Sequence, residues 1–293
     1  MSLWTPALIS PARWFDFSNS SSVTVSSGDI SQINDLSGNA GHLSQSDSTK
    51  RPAYTTAAQN GLNVGSFDGV DEFLQLGSNF SLGTAHSIFV ASRNSSTISN
   101  GGVFQCLLQG GTYTNPLTTV SEWLFCVSDV TGTLSNEKFS TLVLAHPGGT
   151  VYGYGKTNSD ITGGFIASSA YTTSANAFRG RINGANDFAT ATSNGGYVST
   201  NTRYPTILRT LGSRRGTSAF WNGDIWEVIV FASYLSESDT ELVEGYLAWK
   251  WGINTSLPIG HPYYSAAPTI GRTRRSINDG LFNRGLFNAG LLR

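Results

Sequence analysis

From about residue 64 to residue 231 the chain is written in short runs of Val, Ile, Phe, Tyr and Thr, parted by clusters of Gly, Asn and Ser. β-Branched and aromatic residues fit a pleated, half-buried surface, and the small polar clusters supply turns. The runs predict strands at 73–76, 87–92, 103–108, 122–128, 140–145, 151–155, 165–168, 178–182, 207–211 and 224–232. Asn183-Gly184, directly after one run, suits a type I′ hairpin, whose two central residues both need positive φ. Many antiparallel strands with tight turns imply an all-β, two-sheet sandwich. One segment changes period from 2 to 3.6. Ser236 is a good N-cap with Asp239 three residues on, and Leu242, Val243, Tyr246, Leu247, Trp249 and Trp251 then form an apolar stripe. Gly252 is placed to end it. A single C-terminal amphipathic helix over 237–251 is therefore expected, packed on the sandwich as a lid or brace.

The end of the chain breaks both periods. Residues 266–276 read as a Pro/Gly/Arg linker, and residues 277–293 carry a five-residue repeat with the apolar pairs Leu281/Phe282, Leu286/Phe287 and Leu291/Leu292. A period of five matches neither a helix nor a strand, and three such pairs cannot make a core. They need something else to lie against, either the body of the chain or another chain. The expected organisation is a sandwich domain over 1–265, a linker over 266–276 and an extended docking arm over 277–293, with the arm held by a partner.

Composition narrows the choice of class. Charged residues are 13% of 293 and glycines number 33, against usual values near 25% and 7%. That excludes a helix bundle, a coiled coil and a disordered polyelectrolyte. The net charge of −1 carries no general signature for nucleic acid or anionic membrane. Five of the arginines nevertheless lie in 266–293 with a single aspartate. Arg272, Arg274 and Arg275 are expected to dock with carboxylates of a partner, since Arg pairs them bidentately. No apolar run is long enough to span a membrane, and the N-terminus lacks the pattern of a signal peptide. Cys106 and Cys126 sit in apolar runs and read as reduced, buried thiols, without the spacing of a zinc site.

An ordered series of short motifs gives a resemblance. It begins with Trp4-Thr5-Pro6-Ala7, Trp14-Phe15-Asp16, Ile30-Ser31-Gln32-Ile33-Asn34-Asp35-Leu36-Ser37-Gly38-Asn39, Arg51-Pro52-Ala53-Tyr54, Asn60-Gly61-Leu62-Asn63 and Phe67-Asp68-Gly69-Val70-Asp71-Glu72-Phe73-Leu74. It closes with 223–231, Leu235-Ser236 and 244–252. Over about residues 4–264 the chain resembles the laminin G-like, concanavalin A-like lectin/glucanase sandwich domains, particularly those of tailed-bacteriophage virion proteins. The resemblance implies a jelly-roll fold that binds glycans or packs against protein partners. The reading it supports is a non-enzymatic virion structural protein, homo-oligomeric and assembled with other virion proteins in the host cytoplasm, as a capsid decoration or tail-associated component. The alternative is an adhesin that recognises cell-surface glycans of bacteria. Neither membrane nor specific nucleic acid is an expected partner.

Candidate sites are few. The glucanase branch needs closely spaced carboxylates on one strand, because glycoside cleavage uses two carboxyls flanking the bond. Here Asn222-Gly223-Asp224-Ile225-Trp226-Glu227 has Asn in the first position, and Asp224 and Glu227, three apart, should point to opposite faces of a regular strand. No enzyme is expected. Trp221 and Asn222, at a turn, and Asn194 and Tyr197, in a Gly/Asn loop, are the candidates for sugar contact. Asp68 and Asp71, with Asp35 and Asn39 as possible additions, could bind calcium; the plainer reading is a turn at Asp68-Gly69 with Asp71 capping backbone amides. No other cofactor is indicated.

Overall fold

The computed structural model describes residues 2–81, 85–95, 104–114, 119–128, 138–145, 151–160, 163–172, 177–185, 188–191 and 207–270. Its strands, in chain order, are β1 (Arg13–Asp16), β2 (Val23–Ser26), β3 (Asp29–Ile33), β4 (Leu43–Ser44), β5 (Ala53–Gln59), β6 (Leu62–Asp68), β7 (Leu74–Ser81), β8 (Ala85–Asn94) and β9 (Phe104–Thr114). They continue as β10 (Thr119–Ser128), β11 (Lys138–Ala145), β12 (Val151–Asp160), β13 (Gly164–Thr172), β14 (Ala177–Ile182), β15 (Phe188–Ala191), β16 (Ile207–Leu211) and β17 (Asn222–Phe231). One helix, α1 (Glu237–Lys250), follows.

The pairing among these strands is antiparallel and forms one curled sheet with two layers. In the first layer β17 lies along β8 on one side and shares its other edge between β6 and β1. β8 continues to β13 and β14, and β6 to β5. The second layer runs β3, β4, β7, β16, β9, β10, β11, β12 and β15. A single pairing, Asp29 with Ala53, joins β3 to β5. The register of β9 and β10 sets Cys106 opposite Cys126. The fold is thus the expected antiparallel β-sandwich with one C-terminal helix.

Two cores follow from the alternation of side chains along β17. Ile225, Val228 and Val230 face inward and join Phe15, Phe67, Ile88, Leu108 and Leu211 between the layers. Trp226, Ile229 and Phe231 face outward and are covered by Val243, Leu247 and Trp251 of α1. A sheet with apolar residues on both faces needs a cover on each, and α1 supplies the second. Burying one such side chain contributes about 1.5–3 kcal/mol.

The local signals of the sequence appear as built parts. Ser236 has extended backbone, and its Oγ accepts the Asp239 N–H at 3.1 Å while donating to the Asp239 carboxylate at 2.7 Å. Gly252, at φ +70°, turns the chain out of the helix. The last carbonyls of α1 are taken by the β5–β6 turn: the Asn60 amide donates to Lys250 O at 2.9 Å and the Gln59 amide to Trp251 O at 2.8 Å. Asn183 and Gly184 have φ +48° and +76°, closing the hairpin after β14 as a type I′ turn requires.

The strand expectations from residue 73 onward each find a strand, several of them longer than expected. The first 60 residues hold β1 to β5, where no strand was expected. Most are short, β2 and β5 bury none of their residues fully, and β5 (Ala-Tyr-Thr-Thr-Ala-Ala-Gln) lacks the alternation on which strand prediction depends.

Candidate functional site

The outer face of the first layer is covered by α1 only in part. Beyond the helix a row of directly opposed residues crosses five strands. Asp29 of β3 faces Ala53 of β5, Ala53 faces Ser66 of β6, Ser66 faces Asp224 of β17, and Asp224 faces Arg93 of β8. Directly opposed residues of an antiparallel pair carry their side chains on the same face. The row therefore lies on one face as a shelf that is polar apart from Ala53.

Its side chains are linked. Thr55, exposed, shares a hydrogen bond of 2.8 Å with Ser66, whose hydroxyl donates to Asp224 Oδ1 at 2.7 Å. Asp224 Oδ2 takes the guanidinium of Arg93. Asp224 is nearly closed off by these partners, with its side chain 7% exposed, whereas that of Arg93 is 41% exposed. The strands approach closely here, since a Cβ on Gly223 would collide with the carbonyl of Arg93. In the next row Asn222 faces Asp68.

The turn beside the shelf is acidic. Asp68 Oδ1 accepts the Val70 N–H at 2.8 Å, and the Asp68 N–H donates to Glu72 Oε2 at 2.8 Å, while Gly69 turns at φ +80° against Asn222. The expected turn is present, with Glu72 and not Asp71 as its carboxylate cap. Burial pushes the Glu72 carboxyl up to about 7, and the charges of Asp68, Asp29 and Asp71 add to the rise. Among the described residues no three His, Cys, Asp or Glu side chains come together as a metal site. Asp35 is spent elsewhere, accepting the N–H groups of Trp14, Ser37 and Gly41 and pairing with Arg13 at 3.4 Å. Asn39 donates to the Ala12 carbonyl.

Two further carboxylates lie buried between α1 and the sheet. Glu227 receives the Trp14 indole at 2.7 Å, the Tyr246 hydroxyl at 3.0 Å, the Lys250 ammonium at 2.7 Å and the Trp251 indole at 3.0 Å. Lys250 also reaches Asp16 at 2.7 Å. Burial pushes the Glu227 carboxyl up, with Lys250 opposing. Burial alone would lower Lys250, but the attraction of Glu227 and Asp16 outweighs it and raises the ammonium. Farther along the helix Glu244 meets Arg181 at 3.2 Å, Ser168 at 3.1 Å and His261 at 3.4 Å. These groups bind the helix to the sheet.

Two sequence expectations are corrected by the geometry of β17. Its register against β8 slips between Ile225 and Glu227. Such a bulge inserts an extra residue and reverses the alternation beyond it. Asp224 and Glu227 consequently share the outer face instead of pointing to opposite ones. Trp221, expected as a stacking surface, is fully buried between the layers against Phe165. It offers no face to a ligand. Asn222, Asp68 and Asp71 lie at or beside the shelf. Asn194 and Tyr197 lie outside the described residues, as do Arg272, Arg274, Arg275 and the arm residues Leu281, Phe282, Leu286, Phe287, Leu291 and Leu292. The sequence reading missed Thr55, Ser66 and Arg93. A signal existed for two of them: Ser66-x-Asp68 spaces polar residues two apart on what becomes the outer face, and Arg93 ends an otherwise apolar run.

No family model and no curated protein match the sequence. Solved structures match the fold. Trypanosoma rangeli sialidase in complex with sialic acid is similar over 85% of this chain and 34% of its own, at 10% identity and a TM-score of 0.51. The CBM40 of Ruminococcus gnavus IT-sialidase bound to α2,6 sialyllactose is similar over 60% of this chain and 95% of its own, at 15% identity and a TM-score of 0.40. The botulinum neurotoxin serotype D binding domain matches 80% of this chain and 50% of its own, at 11% identity and a TM-score of 0.48. This chain thus spans about a third of the sialidase. The likeness is one of fold, a β-sandwich. It corrects the expectation that the chain is not an enzyme: a sialidase is among the structures that share the fold, so the fold no longer argues against catalysis.

Proposed function

We propose that this sandwich is a glycan-recognition module, with the outer-face side chains Thr55, Ser66 and Arg93, anchored by Asp224, as its contact surface. The observation that carries the reading is the unbroken hydrogen-bonded chain through these four side chains. A sugar presents neighbouring hydroxyls, each a donor and an acceptor. The shelf offers hydroxyls that can do either and a half-exposed guanidinium that donates, both held in place by the Asp224 carboxylate. Each group is held by the sheet and by its neighbour, so little order is lost on binding. The β-sandwich fold shared with the sialidase supports the reading.

The test is retention of the full chain on a glycan array, repeated with Thr55→Ala and Arg93→Gln. Each variant removes a shelf donor without touching a buried core, and each should weaken binding two- to tenfold, as loss of one hydrogen bond does. Binding that both variants leave unchanged would move the site away from the row, and an array with no binding would end the proposal. Assembly through the 277–293 arm, as homo-oligomer or with virion partners, is a separate proposal that rests on the sequence repeats alone; the structural matches lend the virion setting no support.

A further inference from the structure

The shelf is electrically lopsided. Arg93, its guanidinium, is already matched by Asp224. Carboxylates gather beside it. Asp29 stands at one end of the row. Asp68 lies in the next row, opposite Asn222, two residues along β6 from Ser66 and on the same face. Asp71 and Glu72 follow in the turn, and the charges of Asp68, Asp29 and Asp71 all bear on Glu72. Asp68 is exposed, so its field reaches the solvent over the shelf.

Resting on the glycan-recognition reading above, we infer that this surface takes a sugar without an acidic group and rejects sialylated, sulfated and uronate-bearing glycans. The hydroxyl-binding groups are indifferent to such a substituent; the surrounding carboxylates are not. A unit charge at about 10 Å from three like charges is repelled by roughly 1 kcal/mol in high dielectric, about fivefold to tenfold in affinity. The repulsion decays with a Debye length of about 10 Å at 0.1 M salt. A protonated amino sugar should gain where an acidic one loses.

The experiment is an array printed with matched neutral, amine-bearing and acidic versions of the same core oligosaccharides, probed with the full chain at about 20 mM and about 300 mM salt, and with the double variant Asp68→Asn/Asp71→Asn. Asparagine keeps the side-chain oxygen that accepts the Val70 N–H, so the turn is preserved. The expected result is preference for neutral and amine-bearing members by about fivefold or more at low salt, narrowing at high salt and in the double variant. Equal or tighter binding of acidic members overturns the inference and leaves the glycan-recognition reading standing. A neutral preference untouched by salt and by the variant also overturns it, because the selection would then come from shape. An array with no bound member overturns the reading itself and the inference with it.

Discussion

Trp251, just past the last turn of α1, donates its indole N–H to the buried Glu227 carboxylate of β17 at 3.0 Å. Trp14 and Tyr246 donate to the same carboxylate, and Lys250 pairs with it. A charge removed from water is tolerated when its lone pairs are filled in this way. Replacing Glu227 by Ala would strand two indoles and the Tyr246 hydroxyl and leave the Lys250 ammonium with Asp16 as its remaining carboxylate. The expected cost is about 3–5 kcal/mol, read as a lower urea midpoint with unchanged slope. A loss under about 1 kcal/mol would mean that the helix is held by its apolar stripe alone.

Gly184 stands at φ +76° in the hairpin after β14, and a Cβ there would come within 2.8 Å of the His261 ring. Both conformation and space exclude a side chain. Gly184→Ala should destabilise by more than about 1 kcal/mol. Thermal melting of the variant checks this; an unchanged midpoint would show that the turn relaxes freely.

Glu72 sets a pH dependence. Its folded carboxyl titrates at about 7, above its ordinary 4.5. The folded form therefore holds its proton more tightly than the unfolded chain. The stability gained is fully present below pH 4.5 and is lost as pH rises through about 7. Because the side chain is half-buried, solvent screening limits the effect to roughly 1 kcal/mol. Glu72→Gln keeps an oxygen for the Asp68 N–H, and should be more stable than the parent above pH 7 with the slope between pH 5 and 8 flattened. Chemical denaturation at three pH values measures it, and parallel curves for parent and variant would contradict the assignment.

Removal of residues 277–293 tests the docking arm. If the arm is held by a partner and not by its own domain, the shortened chain should melt at the parent temperature. If the arm mediates assembly, light scattering should show loss of oligomer. An oligomer of unchanged mass would discard the arm as the contact, and a fall in melting temperature would assign it to the domain's own packing.

Much of this architecture was legible along the chain. The turn at Asn183-Gly184, the cap at Ser236 and the stop at Gly252 depend on backbone preferences of a few neighbouring residues. Such preferences are written locally and survive into the fold. The strands from residue 73 onward, β15 apart, were legible for a related reason: their runs of β-branched and aromatic residues favour a pleated strand. What only the tertiary structure decided lies on β17. A bulge at Trp226 turned Glu227 onto the same face as Asp224, and the closing of two layers drew Trp221 out of reach of solvent. Neither is written locally, because a slip in register is chosen by the neighbouring strand and burial by whatever lies across the core. The polar row has the same origin. Asp29, Ser66, Arg93 and Asp224 are far apart in sequence and become neighbours only through pairing across the sheet.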